Sequence, residues 1–354
     1  MTTTWQWAAY LNDEVRANSK IPLLINIDES PMPLMYGDAV GNIERRTKKR
    51  NADREPRRAA TRNDTRVHYT FIAMICNIPW IQELLPQILI VPARALPESS
   101  WLTVASRLPQ NVYLLRNNTM WVSSKIWVVV LRLLRKSLKR LRIQRTYKVI
   151  LFADAFGGHI TVASMQAMKK YRFWFVLLPA GLTWLMQPLD VQAFVQVKRF
   201  LKARFMSLES ATDPVRIVVQ ALLDCVAAVE EFFTTRDWSQ VFDVLGLNGT
   251  TPPTSKHFLK ELDWNVIPDF PRTRPTAQLI RKNTPRGREL NPAALAGCLP
   301  DLPEASPAHG GVSPAPAGAA AAAPGGAAPA PAPGWHRRRL PATFANVDLD
   351  SSSE

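Results

Sequence analysis

Short apolar runs alternate with amphipathic stretches through the middle of the chain, between residues 21 and 206. Runs rich in Ile, Val, Leu and Phe are typical of strands, whereas apolar residues three or four apart are typical of helices. Strands are predicted at Pro22–Ile27, Val67–Cys76, Gln87–Val91, Tyr147–Ala153 and Arg172–Leu178, and helices at Val122–Arg145, Thr161–Tyr171 and Gln187–Phe205. Strands that alternate with helices predict a layered α/β domain.

The helix predicted at Val122–Arg145 has two chemically different faces. At about 100° per residue, one face carries apolar side chains such as Trp127 and Leu134, and the other carries basic side chains such as Arg135 and Lys139. The apolar face is expected to pack on the sheet. The basic face is either solvated or turned toward DNA.

The same pattern divides the chain into four segments. Residues 1–20 are a short polar lead, and residues 21–206 are the α/β domain. Residues 207–300 predict a helical and loop-rich extension, and residues 301–354 are dominated by Pro, Ala and Gly. A segment with so few core-forming side chains is expected to be disordered. The stretch Gly37–Arg66 is polar and strongly basic, which predicts a loop or an arm.

The formal charge of the chain is +15. From Asp301 onward, five acidic residues outnumber three arginines, so the positive charge belongs to residues 1–300. A basic folded domain favours a polyanionic partner, usually nucleic acid, because phosphates attract Lys and Arg whatever the base sequence. A basic surface that is merely solvated is the alternative.

The three cysteines are far apart and form neither a zinc motif nor a disulfide framework. The first residues lack the pattern of a signal peptide, and no apolar run approaches the ~18 residues that a membrane span needs. A soluble intracellular protein with no membrane partner is therefore expected. The tryptophans lie in apolar contexts and are expected in the core, with base stacking as the alternative.

Three aspartates lie where a sheet would bring them together. Asp28 and Asp154 each follow a predicted strand, and Asp190 lies in the first turn of the helix predicted at Gln187–Phe205. Converging carboxylates repel one another, and a hard divalent cation such as Mg²⁺ relieves that repulsion. Singly, each has an ordinary structural role as a turn former or a helix cap. The metal-site prediction depends on all three together.

Three motifs contain these aspartates. The segment ILFADAFGGHI includes Asp154, LLPAGLTWLMQPLDVQAFVQVKRFLK includes Asp190, and LLINIDESPMPL includes Asp28. Together they resemble the motifs of the DDE superfamily endonucleases, and among these the pogo, Tigger and jerky transposases. The resemblance covers roughly residues 21–206. It implies a ribonuclease-H-like fold, with a mixed five-stranded sheet flanked by helices.

The resemblance also implies roles for individual residues. Asp28, Asp154 and Asp190 would be the catalytic metal ligands for two Mg²⁺ or Mn²⁺ ions. Supporting roles would belong to His159, Gln187 and Lys198, although a buried structural His and a solvated Lys are the alternatives. The implied activity is metal-dependent DNA cleavage and strand transfer. The resemblance further implies that the protein derives from a transposable element and is located in the nucleus.

Two positions depart from the family motif. Ala155 stands where the motif has Asn, and Gly157 stands where it has Pro. A catalytically decayed, transposase-derived DNA-binding protein is therefore the alternative function. Because the 27 residues ahead of Asp28 are too short for a helix-turn-helix domain, recognition of DNA ends is expected to be missing, or to be supplied by the basic arm, by another chain or by a lost exon. The other chain would be a second copy in a homo-oligomer or a separate DNA-recognition protein.

Overall fold

A computed structural model describes residues 2–33, 68–118, 121–140, 143–179, 181–205, 214–250, 253–254 and 346–348. The predicted basic arm at Gly37–Arg66 lies outside the described residues. So does most of the chain after residue 250, including nearly all of the tail that is predicted to be disordered.

Helices and strands alternate through the first 250 residues. The helices are α1 Thr2–Ala17, α2 Pro79–Gln82, α3 Glu98–Ala105, α4 Ser124–Arg140, α5 Val162–Tyr171, α6 Thr183–Met186, α7 Phe194–Phe205, α8 Pro214–Val229 and α9 Ser239–Val244. The strands are β1 Ile21–Pro33, β2 His68–Cys76, β3 Gln87–Pro92, β4 Val112–Asn117, β5 Tyr147–Asp154, β6 Trp174–Leu178 and β7 Asn346–Asp348. A π-helical turn at Leu189–Ala193 precedes α7, and another at Glu230–Thr234 follows α8.

The strands form one mixed sheet in the order β6-β5-β1-β2-β3-β4-β7. Strand β2 is antiparallel to both β1 and β3, whereas β5 is parallel to β1 and to β6. The five strands from β6 to β3 are the predicted ribonuclease-H-like sheet, and the α/β fold class is confirmed. Strands β4 and β7 lengthen the sheet beyond the five that were predicted, at the edge next to β3.

Both faces of the central strands are covered. Consecutive residues of β1, such as Leu24 and Ile25, point to opposite faces of the sheet and are both buried, as expected for a strand between two layers. On one face, Phe71 of β2 meets Phe194 of α7, and Phe152 of β5 meets Phe242 of α9. The helices α4 and α5 lie side by side. No helix within the described ranges is both long and apolar enough to span a membrane.

The N-terminal segment is a helix and belongs to the core, unlike the polar lead predicted from the sequence. Trp5, Leu11 and Val15 of α1 are buried. The indole Nε1–H of Trp5 donates to the carbonyl of Leu245 at 2.9 Å, just beyond α9. Buried apolar side chains and this hydrogen bond therefore join α1 to the segment after α9.

Candidate functional site

The sheet places Asp28 and Asp154 side by side. In the parallel ladder between β1 and β5, Asn26 pairs with Phe152, so two residues further along both strands Asp28 lies level with Asp154. Residues at the same level of neighbouring parallel strands point to the same face. The two carboxylates therefore share one face at this edge of the β1–β5 pair.

The position of Asp28 within its strand differs from the prediction. Asp28 does not close the strand, because β1 continues to Pro33. Residues 28–33 keep their ladder with β2, in which Asp28 pairs with Ala73, after the ladder with β5 has ended. Asp154, in contrast, ends β5 as predicted.

The third aspartate, Asp190, is presented by a π-helical turn. Asp190 lies in the π-helical turn Leu189–Ala193, between the short helix α6 and α7. Such turns are rare and occur often at functional sites. Its carboxylate accepts a hydrogen bond from the side chain of Thr183, the first residue of α6.

The three carboxylates are close enough to act on one another's ionisation. Burial raises the pKa of Asp28 well above its ordinary value, and the negative charges of Glu29, Asp190 and Asp154 raise it further. Burial also raises the pKa of Asp190, and the charge of Asp154 adds to this effect. The nearby charge of Lys198 and the hydrogen bond from Thr183 oppose it. The three predicted aspartates therefore lie at the same edge of the sheet, and their role as metal ligands stays a prediction.

His159 contacts two acidic side chains, those of Glu29 and Asp154. It is fully buried, and its Nε2 lies 2.9 Å from a carboxylate oxygen of Glu29. Its Nδ1 lies 2.9 Å from the carboxylate of Asp154 and 3.1 Å from the backbone oxygen of the same residue. The ring packs 3.9 Å from that of Trp127 in α4.

The two carboxylates around His159 keep its imidazole ring protonated. Burial lowers its pKa, but the charge of Glu29 and the hydrogen bonds to Asp154 and Glu29 outweigh burial and raise the pKa to about 10. Both ring nitrogens then donate hydrogen bonds. For Asp154, burial is opposed by the hydrogen bond and charge of His159 and by the Phe156 N–H, and the net result is a lowered pKa.

One group of donor atoms has the spacing of a metal site. Atoms of Glu29, Asp154 and His159 lie within 4.8 Å of one another. A histidine ligand must be neutral, with a free lone pair on the ligating nitrogen. His159 is protonated and uses both nitrogens, so it is better suited to orienting the carboxylates than to binding a metal. Among the described residues, Asp28 and Asp190 are not part of a group with this spacing. Carboxylate oxygens are nonetheless the donors that a hard cation prefers.

Two further predicted residues lie next to Asp190. The backbone of Gln187 shapes the turn, because its N–H donates to Thr183 and its carbonyl accepts from Val191. Its side chain is buried, and neither amide atom has a hydrogen-bond partner among the described residues. Lys198, on α7, is close enough for its charge to act on Asp190.

Sequence reasoning missed Asn26. This residue is fully buried in β1, and its amide bonds the carbonyl of Phe152 and the N–H of Leu189. A polar residue inside the apolar run PLLINI is a usable signal, because buried amides are nearly always hydrogen-bonded. Its partners are distant in sequence and could not be named.

The expectation that the tryptophans are buried fails near the site. Trp184 follows Thr183 directly and is 56% exposed, and Trp121 is 74% exposed. Phe156, two residues after Asp154, is 39% exposed. Exposed aromatic side chains therefore lie close in sequence to Asp154 and Asp190.

Comparison with known proteins gives one family match. The family model described as DDE superfamily endonuclease matches residues 69–233, a range that includes Asp154 and Asp190 but not Asp28. No curated protein matches this chain significantly.

Solved structures give weak matches to complexes of the Mos1 transposase. The Mos1 transposase paired-end complex with left transposon end is 13% identical, covering 66% of this chain and 63% of that chain, with a TM-score of 0.33. The Mos1 mariner paired end complex with Mn is 12% identical, covering 64% and 62%, with a TM-score of 0.33. Less than two thirds of either Mos1 chain is spanned, and superpositions this weak say nothing about the site. The family resemblance seen in the motifs is confirmed by the family model instead, and over residues 69–233 the chain matches the DDE superfamily endonucleases.

Proposed function

We propose that this chain is a metal-dependent DNA endonuclease and strand transferase of the DDE transposase type. The observation that carries the proposal is the convergence of Asp28, Asp154 and Asp190 from β1, β5 and the π-helical turn. Three mutually repelling carboxylates, one of them buried, make a costly arrangement unless a cation binds there.

Carboxylate oxygens suit Mg²⁺ or Mn²⁺, and we assign two such ions to the three aspartates. When bound, such ions would polarise an attacking hydroxyl and stabilise the leaving 3′ oxygen of a phosphodiester. The protein's own part is to aim the carboxylates. His159 fixes Asp154 through a charged hydrogen bond, and Thr183 fixes Asp190. Lys198 offers a positive charge to a phosphate near Asp190.

The chemistry proposed has two steps. Water attacks the phosphorus of a phosphodiester, the bond to the 3′ oxygen breaks, and a free 3′-hydroxyl results. That hydroxyl then attacks a phosphodiester of target DNA, displacing the 3′ oxygen on the target strand. Each attacking hydroxyl loses a proton and each departing oxygen gains one.

A group of cations supports DNA as the partner. Lys148 stands near the start of β5, six residues of extended chain or about 20 Å from the level of Asp154. The ladder between β5 and β6 pairs Ile150 with Trp174, so Lys148 lies level with Arg172. The Nζ of Lys148 lies 4.4 Å from the centre of the Trp174 ring.

These cations lack compensating acids. Burial, followed by the charges of Lys20 and Arg172, lowers the pKa of Lys148 to about 8. Burial and the charge of Arg172 also lower the pKa of Arg135 on α4. In the described part of the chain, no carboxylate forms an ion pair with Lys148, Arg172 or Arg135. A phosphate backbone would relieve this repulsion.

The cation group can be tested by DNA binding as a function of salt. Lys148→Met and Arg172→Gln should each weaken binding whatever the DNA sequence, and each should reduce the slope of log K against log salt by about 1. Arg107→Gln, an exposed change just after α3, is the comparison. Equal slopes in all variants would count against this edge as a phosphate contact.

The activity is tested by nicking and strand transfer on labelled duplex and pre-nicked DNA in Mg²⁺, Mn²⁺ or EDTA. We expect cation-dependent cutting by the wild type, its loss in Asp154→Asn and Asp190→Asn, and its retention in Glu98→Gln, which removes an exposed acid on α3. Cutting that survives both aspartate changes would refute the proposal.

A decayed, DNA-binding descendant is the second candidate. The observation that favours it is Ala155, which is buried beside Asp154 and offers no amide where the family motif has Asn. DNA binding that is sensitive to salt, without cutting in any cation, would favour this candidate. In that case Ala155→Asn is the change to test for recovered cutting.

Nuclear localisation and assembly with a partner remain proposals. DNA as substrate requires access to the nucleus, and the short basic runs at Lys48–Arg50 and Arg337–Arg339 are candidate signals. Recognition of DNA ends is assigned either to a homo-oligomer or to a separate DNA-recognition protein. Light scattering of the protein with and without DNA would distinguish these two assemblies.

A further inference from the structure

A single buried side chain connects the three segments that carry the aspartates. Asn26 is fully buried in β1, two residues before Asp28. Its Nδ2–H donates to the backbone carbonyl of Phe152 at 2.9 Å, two residues before Asp154. Its Oδ1 accepts the backbone N–H of Leu189 at 2.9 Å, directly before Asp190.

These bonds lie where the backbone alone cannot hold the site. The parallel ladder between β1 and β5 ends at the pair of Asn26 and Phe152, just before the level of the two aspartates. Leu189 begins the π-helical turn, and the first N–H groups of a helix have no acceptor within that helix. Asn26 supplies one, from a strand 163 positions away in sequence.

The amide is chemically matched to this double role. Phe152 needs a donor and Leu189 needs an acceptor, and a primary amide is the neutral side chain that offers both from one planar group. The carboxylates of Asp28, Asp154 and Asp190 repel one another across the same edge, so the segments need a tie that adds no charge.

We propose that Asn26 is a positioning residue that holds the Asp190 turn against β1 and β5 and so sets the spacing of the three carboxylates. The role rests on the proposed function only in its consequence for cation binding. The two hydrogen bonds of the Asn26 amide belong to the folded chain and are present without any cation.

The first test is made on unaltered protein in EDTA. Most amides at the start of a helix exchange quickly with solvent, because they lack an acceptor. We expect the Leu189 amide to exchange at least 100-fold more slowly than an unprotected amide. Rapid exchange of the Leu189 amide would overturn the proposal, and this result does not depend on any variant folding.

The second test compares Asn26→Leu with Gln82→Met by local hydrogen exchange. Gln82 is also a fully buried amide, which bonds the N–H of Cys76 and the carbonyls of Met74 and Phe233, away from the aspartates. In Asn26→Leu we expect faster exchange, by at least tenfold, confined to residues 187–193 and the end of β5. If Asn26→Leu instead raises exchange uniformly, as Gln82→Met would, Asn26 is merely a core residue.

The consequence is measured as Mn²⁺ affinity, from the electron paramagnetic resonance of free Mn²⁺. We expect Asn26→Leu to weaken binding about tenfold, the lower end of the range for groups that orient metal ligands, and Gln82→Met to leave it within about twofold. Unchanged affinity in Asn26→Leu would refute the role in setting carboxylate spacing. If the wild type binds no Mn²⁺, the proposed function fails, and the exchange experiments alone decide the role of Asn26.

Discussion

Replacing Asp28 with Asn should stabilise the protein when no divalent cation is present. The change keeps the size of the side chain and removes one of the repelling charges. Burial and the charges of three neighbouring acids already raise the pKa of Asp28, so its ionised form is costly in the folded state. That cost is fully present when the pH is above the pKa of Asp28 in the folded state. It disappears as the pH falls to the ordinary pKa of an Asp.

The size of the effect follows from the neighbouring charges. Those that act on Asp28 are, largest first, the charges of Glu29, Asp190 and Asp154, and two unit charges at ~5 Å repel by roughly 3 kcal/mol at an effective dielectric constant of 20. The side chain of Asp154 is 30% exposed and is paired with His159, which screens part of this repulsion. We expect the free energy of unfolding to rise by about 1–2 kcal/mol.

The assay is urea denaturation at pH 7.5, in EDTA and in Mg²⁺. In EDTA, Asp28→Asn should be more stable than the wild type. Mg²⁺ at a hundredfold over its dissociation constant should stabilise the wild type by about 2.7 kcal/mol through mass action, and Asp28→Asn by much less.

The matched control is Glu98→Gln, which removes one exposed acid and should change stability by less than about 0.5 kcal/mol. The reasoning is refuted if Asp28→Asn is less stable than the wild type in EDTA and still gains the full stabilisation from Mg²⁺.

Three further predictions concern the rest of the domain. Cys76 and Cys225 are buried, and burial raises the pKa of each thiol to about 12. In a Cys298→Ser background, neither thiol should therefore react with a disulfide reagent at pH 8 until denaturant is added. Rapid labelling of the native protein would contradict this. Trp5→Phe should lower the free energy of unfolding by about 1 kcal/mol, measured in urea, because a buried backbone carbonyl loses its donor. Since the pKa of Lys148 is lowered to about 8, its charge opposes folding below pH 8 and ceases to do so above the ordinary pKa of a lysine. Lys148→Met should therefore raise the melting temperature at pH 7 and not at pH 10.5. An equal rise at both pH values would argue against this cause.

The sequence predicted the parts of the site that depend on local pattern. Strand β5 ends at Asp154 as expected, because an unbroken apolar run is followed by residues that favour a turn. Helix α5 begins after Thr161, whose side chain accepts the Ser164 N–H as an N-cap does. The motif around Asp190 predicted a helix start, and the structure has a π-helical turn there.

The parts that failed depend on tertiary partners. Residues of the Asp28–Pro33 segment have low strand propensity, yet pairing with β2 keeps them in β1. Helix α1 looked polar because its buried apolar residues alternate with Thr, Gln and Asn and the helix ends in charged residues, whereas packing on β6, β1 and the segment after α9 buries it. The hydrogen bonds of Asn26 and of His159 join residues more than 100 positions apart, so no local pattern could have predicted them.

Cleavage of the protein's own backbone by bound iron tests most directly whether the three aspartates form one cation site. Fe²⁺ placed in a Mg²⁺ site generates hydroxyl radicals in the presence of ascorbate and peroxide, and these cut the nearest main chain. We predict cuts at three places, close to Asp28, Asp154 and Asp190, which excess Mg²⁺ suppresses and Asp28→Asn removes. Cuts at only one of these places, or cuts elsewhere that Asp28→Asn leaves unchanged, would contradict a shared site.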